Sequence, residues 1–488
     1  MNGVTAPAIR TTLMWCVAGV LAGCATVPRD AGFADVRAQT AERTGGKRVV
    51  WNQGTEADAD LQREVRSLLA DELTVDEAVQ IALLNNRNLQ ATCEDLGLAQ
   101  AELVQAGLLN NPVFEFDPRW PTKSGFRFSY ELSVVQDFLD VLLRPLRKKV
   151  AEAEFQATRL RVTSIVLDVA AEAKAAFYRV QGAQQLVEMR RNVVAATEAS
   201  ADAAGRMHEA GNISDFDLVN ERALYEQAKL ELARAETEAI EAREELNVLM
   251  GAWGRDTEWR IEPKLPELPE TEVDPTGLES LAVAQRLDLA TAWQQVQALA
   301  RQLKLTGYSR MPFNMGVHSE SEPDPGGPVT IGPHLEGQVP LFDQGQARVA
   351  AGRALLRQSQ QRYAALAVEI RAQVRRFRAR MLAARQQAEY YRRVVLPLRH
   401  RGVEEAQKQY NAMQIGVIQL LQAKQAEIDA GRDYVQALRD YWVARAELER
   451  AVGGRLSPEP AAATQPATQP STAPAPGHVP TAHEHHRH

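Results

Sequence analysis

The chain has 488 residues, a formal net charge of −7 and 45% apolar residues. That length accommodates two or three ordinary domains or one elongated architecture, with apolar content enough for a core. The acidic balance argues against nucleic acid as a partner, and the three cysteines, Cys16, Cys24 and Cys93, are too few and too scattered for an intramolecular disulfide framework.

Residues 1–23 read as a signal peptide. Arg10 supplies positive charge, 13–20 form an apolar run too short to span a bilayer as a helix, and Leu-Ala-Gly-Cys over 21–24 closes it with small residues before a cysteine. That stretch resembles the lipobox of bacterial lipoproteins, which implies lipidation of Cys24 and a mature chain that starts there. Ala25 stands where, in that class, aspartate favours inner-membrane retention, so delivery to the outer membrane is expected. The alternative is an ordinary signal peptide with a chance cysteine. Residues 24–72 then form a lipid-anchored linker.

An internal repeat organises the rest. Residues 88–112 align without a gap on 288–312, matching Leu89 with Leu289, Leu103 with Leu303 and Gly107 with Gly307. The offset of 200 becomes 202 from Met207 and Gln409 onward and persists to Gly251 and Gly453. The units are 73–250 and 278–453, joined by a proline-rich connector over 251–277. Each predicts a helix (74–109; 278–310) ending before a proline, which disfavours helix in the residue it follows. A strand pair comes next (113–117 with 125–138; 313–318 with 329–341). A very long helix then starts near Pro145 or Gly345 and runs to Ala210 or Ala412, and a helix returns over 214–250 or 416–452. The first long helix measures about 99 Å, and a returning helix stacked on the next short one roughly 105 Å. The connector therefore belongs at mid-height, with the strands at one end of a rod and the turns at the other. Val162, Val166, Val169, Ala173, Ala176 and Val180, and in the second copy Ile370, Val374, Phe377, Met381 and Ala384, step by three and four, which calls for packing against neighbouring helices. Pro397 predicts a kink.

The strands carry a period of two. Phe126, Phe128, Tyr130, Leu132 and Val134 alternate with Arg127, Ser129, Glu131 and Ser133, and Val329, Ile331, Leu335, Val339 and Leu341 alternate with polar residues in the second copy. One apolar and one polar face suit a lipid-facing exterior and an aqueous lumen; the alternative is a half-buried sheet in a soluble domain. The lipobox and the helical rod favour the membrane. Backbone in hydrocarbon must be fully paired, so such a sheet has to close. Four strands from one chain cannot close usefully, eight from two give a barrel filled by its own side chains, and twelve from three leave room for water. The expected fold class is mainly α with a transmembrane β part: a homotrimer with an α-barrel tunnel and a 12-stranded β-barrel.

Together the lipobox, the duplicated unit, Ala-Gly-Leu-Leu-Asn-Asn-Pro over 106–112, the stretch 340–354 opening the second long helix and the turn over 209–218 resemble TolC-type outer-membrane efflux proteins. The 106–112 stretch looks closest to the cobalt-zinc-cadmium branch. The resemblance implies a passive exit duct for small molecules or heavy-metal ions. It works with a periplasmic adaptor and an inner-membrane pump of the RND type, without cofactor or nucleic acid. The rival reading is a coiled-coil tethering lipoprotein without a pore.

In that family the periplasmic helical tip docks the adaptor and gates the duct. Here it maps onto Ala210, Gly211, Asn212, Ile213 and Ser214, and in the second copy onto Ala412, Met413, Gln414, Ile415 and Gly416. Ser214 with Asp217 makes a capping box, which by itself explains a sharp helix restart. Asp215 and Asp217, tripled by symmetry, form an acidic ring at a constriction or else a solvated face. Met413 replaces the turn glycine, so the two tips are expected to dock differently. The Pro-, Ala- and Thr-rich tail over 454–488 cannot build a core. Its His478, His483, His485, His486 and His488 form either a weak metal site or a noncommittal polar tail. Fourteen arginines over 345–401 and the acidic stretch 214–245 point to charge pairing between neighbouring helices. P-loop, H-E-x-x-H, G-x-S-x-G and paired C-x-x-C motifs are missing, so no enzyme is expected. Cys93 reads as a small packing residue.

Overall fold

The computed structural model describes residues 26–272, 276–308, 313–324, 326–339 and 341–456. Cys24 and the tail histidines His478, His483, His485, His486 and His488 lie outside them.

Two helices precede the repeat, α1 (Phe33–Thr44) and α2 (Glu56–Ala70). The segment expected to be a linker is therefore folded onto the rod. Its apolar residues account for this: Phe33, Val36 and Val49 are buried with Val79, Leu83 and Val166, and Leu61 and Val65 with Ile81 and Leu246. The first unit comprises α3 (Val75–Asn85), α4 (Arg87–Gly107), β1 (Val113–Arg119), β2 (Ser129–Asp137), α5 (Phe138–Glu209) and α6 (Asp215–Met250). The second comprises α7 (Leu278–Gln285), α8 (Leu287–Tyr308), β3 (Phe313–Ser321), β4 (Val329–Gly337), α9 (Gln346–Tyr390), α10 (Leu396–Asn411) and α11 (Val417–Val452). The strands of the two copies start 200 residues apart and the returning helices 202 apart, as the sequence repeat requires.

Several boundaries differ from expectation, each for a local reason. The helix expected over 74–109 breaks at Asn86, whose extended backbone lets its side chain accept the Leu89 N–H and cap α4. The side-chain amides of Asn85 and Asn86 donate to the carbonyls of Met250, Gly251 and Leu249, closing the end of α6. Gly251 has φ 63°, and a Cβ there would lie 2.4 Å from the Asn85 carbonyl oxygen, so this crossing needs glycine. The second copy breaks at Arg286, which reaches Asp288, Gln373 and the Ala451 carbonyl. The first long helix starts at Phe138, not Pro145, because Asp137 accepts the Asp140 N–H and caps it. Pro145 is absorbed inside. Its 72 residues span about 108 Å. The second long helix is interrupted by a π-helical turn, Tyr391–Val395, which ends two residues before Pro397. Proline has no N–H for the preceding turn, and the wider turn absorbs that loss.

The helices form a layer ordered α4, α5, α8, α9 beneath the strands and α6, α5, α11, then α9 and α10 towards the turns. The seam residues Val162, Val166, Ala173, Ala176 and Val180 on α5, and Ile370, Val374, Met381 and Ala384 on α9, are buried. At mid-height the connector packs Trp259, Ile261 and Leu265 into the core. Trp259 donates to Asn247 at 2.8 Å and lies under the Arg243 guanidinium. Glu272 accepts from Arg385 at 2.8 Å and from Tyr441 at 3.0 Å, while burial pushes the Tyr441 phenol up to about 12 and keeps it a donor.

Candidate functional site

The strands form one antiparallel sheet in the order β1, β2, β3, β4. β1 and β2 are seven and nine residues long, so pairing reaches past Asp117 on β1 but starts only at Ser129 on β2. β3 extends to Ser321 and β4 stops at Gly337. Because partners in register share a face, the pairing sorts the alternation cleanly. Phe114, Val134, Val317 and Pro333 form one cross-strand row, and Phe116, Leu132, Ser319 and Ile331 the next. The opposite face carries Glu115, Ser133, His318 and Gly332, then Asp117, Glu131, Glu320 and Thr330. The apolar face is exposed at Phe114, Phe116, Val317, Ile331 and Leu335. Trp120, Phe128, Tyr130 and Phe116 are linked by ring contacts of 5.5 to 6.4 Å into an aromatic band at the far end of the β1–β2 pair, with Trp120 71% exposed. These apolar side chains thus stay open on one face of the sheet in the single chain.

At the other end of the rod both tip turns end a helix in the same way. In the first, the Gly211 N–H donates to the His208 carbonyl and the Asn212 N–H to that of Met207, with Gly211 at φ 74°. Ser214 and Asp217 then close the capping box: the Asp217 N–H donates to Ser214 Oγ at 3.2 Å and the Ser214 backbone N–H to Asp217 Oδ2 at 3.3 Å, with the Ser214 hydroxyl also donating to Asp217 Oδ2 at 2.7 Å. Asp215 meets His208 at 2.6 Å, so the two aspartates differ: Asp217 serves the cap, while Asp215 keeps 93% of its side chain exposed. In the second turn the Met413 and Gln414 N–H groups make the equivalent bonds to Tyr410 and Gln409. Met413 adopts φ 55° where the first tip has glycine, at a cost of about 1–2 kcal/mol. Gly416 restarts the helix without a side-chain cap. Ala210, Asn212, Ile415 and Ile213 complete the turns as expected from the repeat.

Sequence reasoning missed the apolar side of these tips. Phe216 and Val219 are 64% and 61% exposed, and Met413 is 95% exposed. The signal was present, since Phe216 and Val219 are spaced i, i+3 on the first turn of an acidic helix; nothing among the described residues covers them. Within one chain the acidic helix α6 pairs with α5, through Glu231 with Arg190, Glu236 with Arg191 and Glu245 with Arg179. The arginine-rich α9 lies on the opposite flank of the layer, so the two strongly charged helices are not neighbours in a single copy. Cys93 is fully buried, and burial pushes its thiol up to about 12, in keeping with a packing role.

No family model matches the chain. It is 26% identical over 290 residues to the cobalt-zinc-cadmium resistance protein CzcC of Cupriavidus metallidurans. That stretch takes in 57% of this chain and 66% of the relative, slightly less than two thirds of its length. A membrane protein from Pseudomonas aeruginosa superposes with a TM-score of 0.66 at 17% identity, over 78% of this chain and 93% of that one. The CmeC outer membrane channel of Campylobacter jejuni gives 0.64 at 15% identity, over 78% and 85%. The open-state MtrE outer membrane channel of Neisseria gonorrhoeae gives 0.64 at 15%, over 79% and 90%. These likenesses agree with the resemblance drawn from the motifs: the chain is similar in sequence to CzcC and has the fold of outer-membrane channel proteins of the TolC type.

Proposed function

We propose that the protein is the outer-membrane exit duct of a tripartite efflux system, passive itself and driven by an inner-membrane pump through a periplasmic adaptor. The observation that carries this reading is the sheet. One face is exposed and apolar, the other polar, and among the described residues β1 and β4 each pair on one side only. Such edges are costly in lipid unless another copy covers them, so three chains close twelve strands around water.

The helical layer supports the same closure. Side by side, one copy's flank of α9, the π turn and α10, with exposed Arg380, Arg393, Arg399 and Arg401, faces the next copy's α6, with exposed Glu238 and Glu241. The charge pairing expected from sequence then falls between chains. Lipidation of Cys24 anchors the mature chain. The exposed Phe216, Val219 and Met413 around Ala210 to Ser214 and Ala412 to Gly416 offer the adaptor an apolar contact, and Asp215, in three copies, rings the opening with negative charge that favours cations. The likeness to a cobalt-zinc-cadmium resistance protein supports heavy-metal ions as cargo.

Planar-bilayer recording tests the reading. Purified protein should give discrete conductance steps. A mature chain that stays in water without detergent and conducts nothing would leave the tethering lipoprotein as the better account.

A further inference from the structure

The polar face of the sheet holds a group of side chains that neither the closure of the barrel nor the tips require. His318 on β3 and His334 on β4 are diagonal neighbours, their rings 6.1 Å apart between centroids. Each faces a glycine in register, His318 opposite Gly332 and His334 opposite Gly316. Gly316 is explained by backbone, since a Cβ there would come 2.2 Å from the Val134 carbonyl oxygen. Gly332 is not: a Cβ there would meet nothing within 4 Å, and glycine weakens a strand. Its effect is to leave the space beside the His318 ring open.

From β2, Glu131 completes the group. Its Oε1 lies 3.8 Å from His318 Nε2, while its Oε2 accepts from Arg119 at 2.5 Å, which fixes the carboxylate and leaves Oε1 directed at the imidazole. We propose that His318 and His334, with Glu131 beside His318, bind a divalent transition-metal cation of the zinc, cobalt or nickel class on the polar face of the sheet.

Imidazole nitrogen is the ligand these ions share, and a carboxylate suits zinc as a third. Two imidazoles on one tetrahedral ion hold their centroids roughly 5 Å apart, about an ångström closer than here, within reach of small side-chain rotations. Among the described residues no three His, Cys, Asp or Glu side chains already surround one point. The arriving ion therefore gathers its own ligands and keeps water for the rest. Weak, incomplete coordination is what a duct can use, since a site in a conduction path must release what it binds. The inference rests on the duct reading for its placement in a lumen, though not for the binding itself.

The test uses the full chain with His478, His483, His485, His486 and His488 each changed to Ala, so that tail imidazoles do not compete. Zinc is titrated into the detergent-purified particle against a chromophoric chelator, and the same preparation is recorded in bilayers. A single zinc ion per chain is expected. Affinity should fall by roughly tenfold or more in His318→Ala and in His334→Ala. Gly332→Val, which fills the open space with a strand-favouring residue, should weaken binding with the fold intact by circular dichroism. Retention of parent affinity in both histidine variants, or no zinc bound by the parent, overturns the site. A parent that conducts without binding zinc removes the site alone, whereas one that binds zinc through both imidazoles without conducting keeps the site and removes the duct.

Discussion

Asparagines 85 and 86 show how much a single residue decides in this chain. Read as sequence, Leu-Leu-Asn-Asn-Arg-Asn is an unremarkable polar interruption in a helical pattern, and periodicity carries straight through it. In the fold Asn85 is buried, donates to the carbonyls of Met250 and Gly251, and accepts from Gln62. A residue 165 positions away in sequence supplies its partner, so no local rule finds it. Changing Asn85→Leu keeps the volume but leaves those buried groups unpaired, and should cost about 2–3 kcal/mol. Asn88→Ala, at an exposed position of the same stretch, should stay within about 0.5 kcal/mol. Guanidinium unfolding of the two variants checks this, and equal midpoints would contradict the clamp. The alternating strand residues were the legible counterpart. Period-two patterning needs only the strand itself, and the cross-strand register then placed Phe114, Val134 and Val317 in one row, as the alternation requires.

Among the elements, the helices of the two repeated units were legible in kind, but their breaks and ends followed contacts the pattern does not encode. Asp137 moved the start of α5 upstream of Pro145, and the π turn at Tyr391–Val395 placed the irregularity ahead of Pro397 rather than on it. Below that turn α10 is held to α11 by few buried groups, none of its own residues being buried. Charge does part of the holding there. His400 Nδ1 meets Glu427 at 2.9 Å and Nε2 lies 3.4 Å from Glu404. The Glu427 hydrogen bond first, and the charges of Glu404 and Glu427 with it, raise the imidazole above its ordinary value near 6.5. A histidine with a raised folded-state pKa contributes stability that is fully present below the unfolded value and lost as pH climbs through the folded one. Amide hydrogen exchange over α10, corrected for intrinsic rate, should therefore quicken relative to α5 as pH rises above about 6.5. His400→Gln should flatten that difference. An unchanged ratio across the range would show that the pair holds nothing.

On the scale of the whole molecule the repeat was the most legible feature, because a constant offset survives even where side chains diverge. Three things were hidden: the folding of α1 and α2 onto the rod, the exposed apolar residues at the tips, and the separation of the acidic and arginine-rich helices on opposite flanks. All three depend on what covers a surface, and in this account most of the cover comes from further copies. Under the proposed function the outer edges of β1 and β4 are paired between chains. Hydrogen exchange of the particle extracted from membranes in detergent measures it directly. If three copies close the sheet, the amides of β1 and β4 exchange as slowly as those of β2 and β3. Fast exchange confined to the outward-directed amides of β1 and β4, beside a protected β2–β3 ladder, would mean an open sheet and would contradict it.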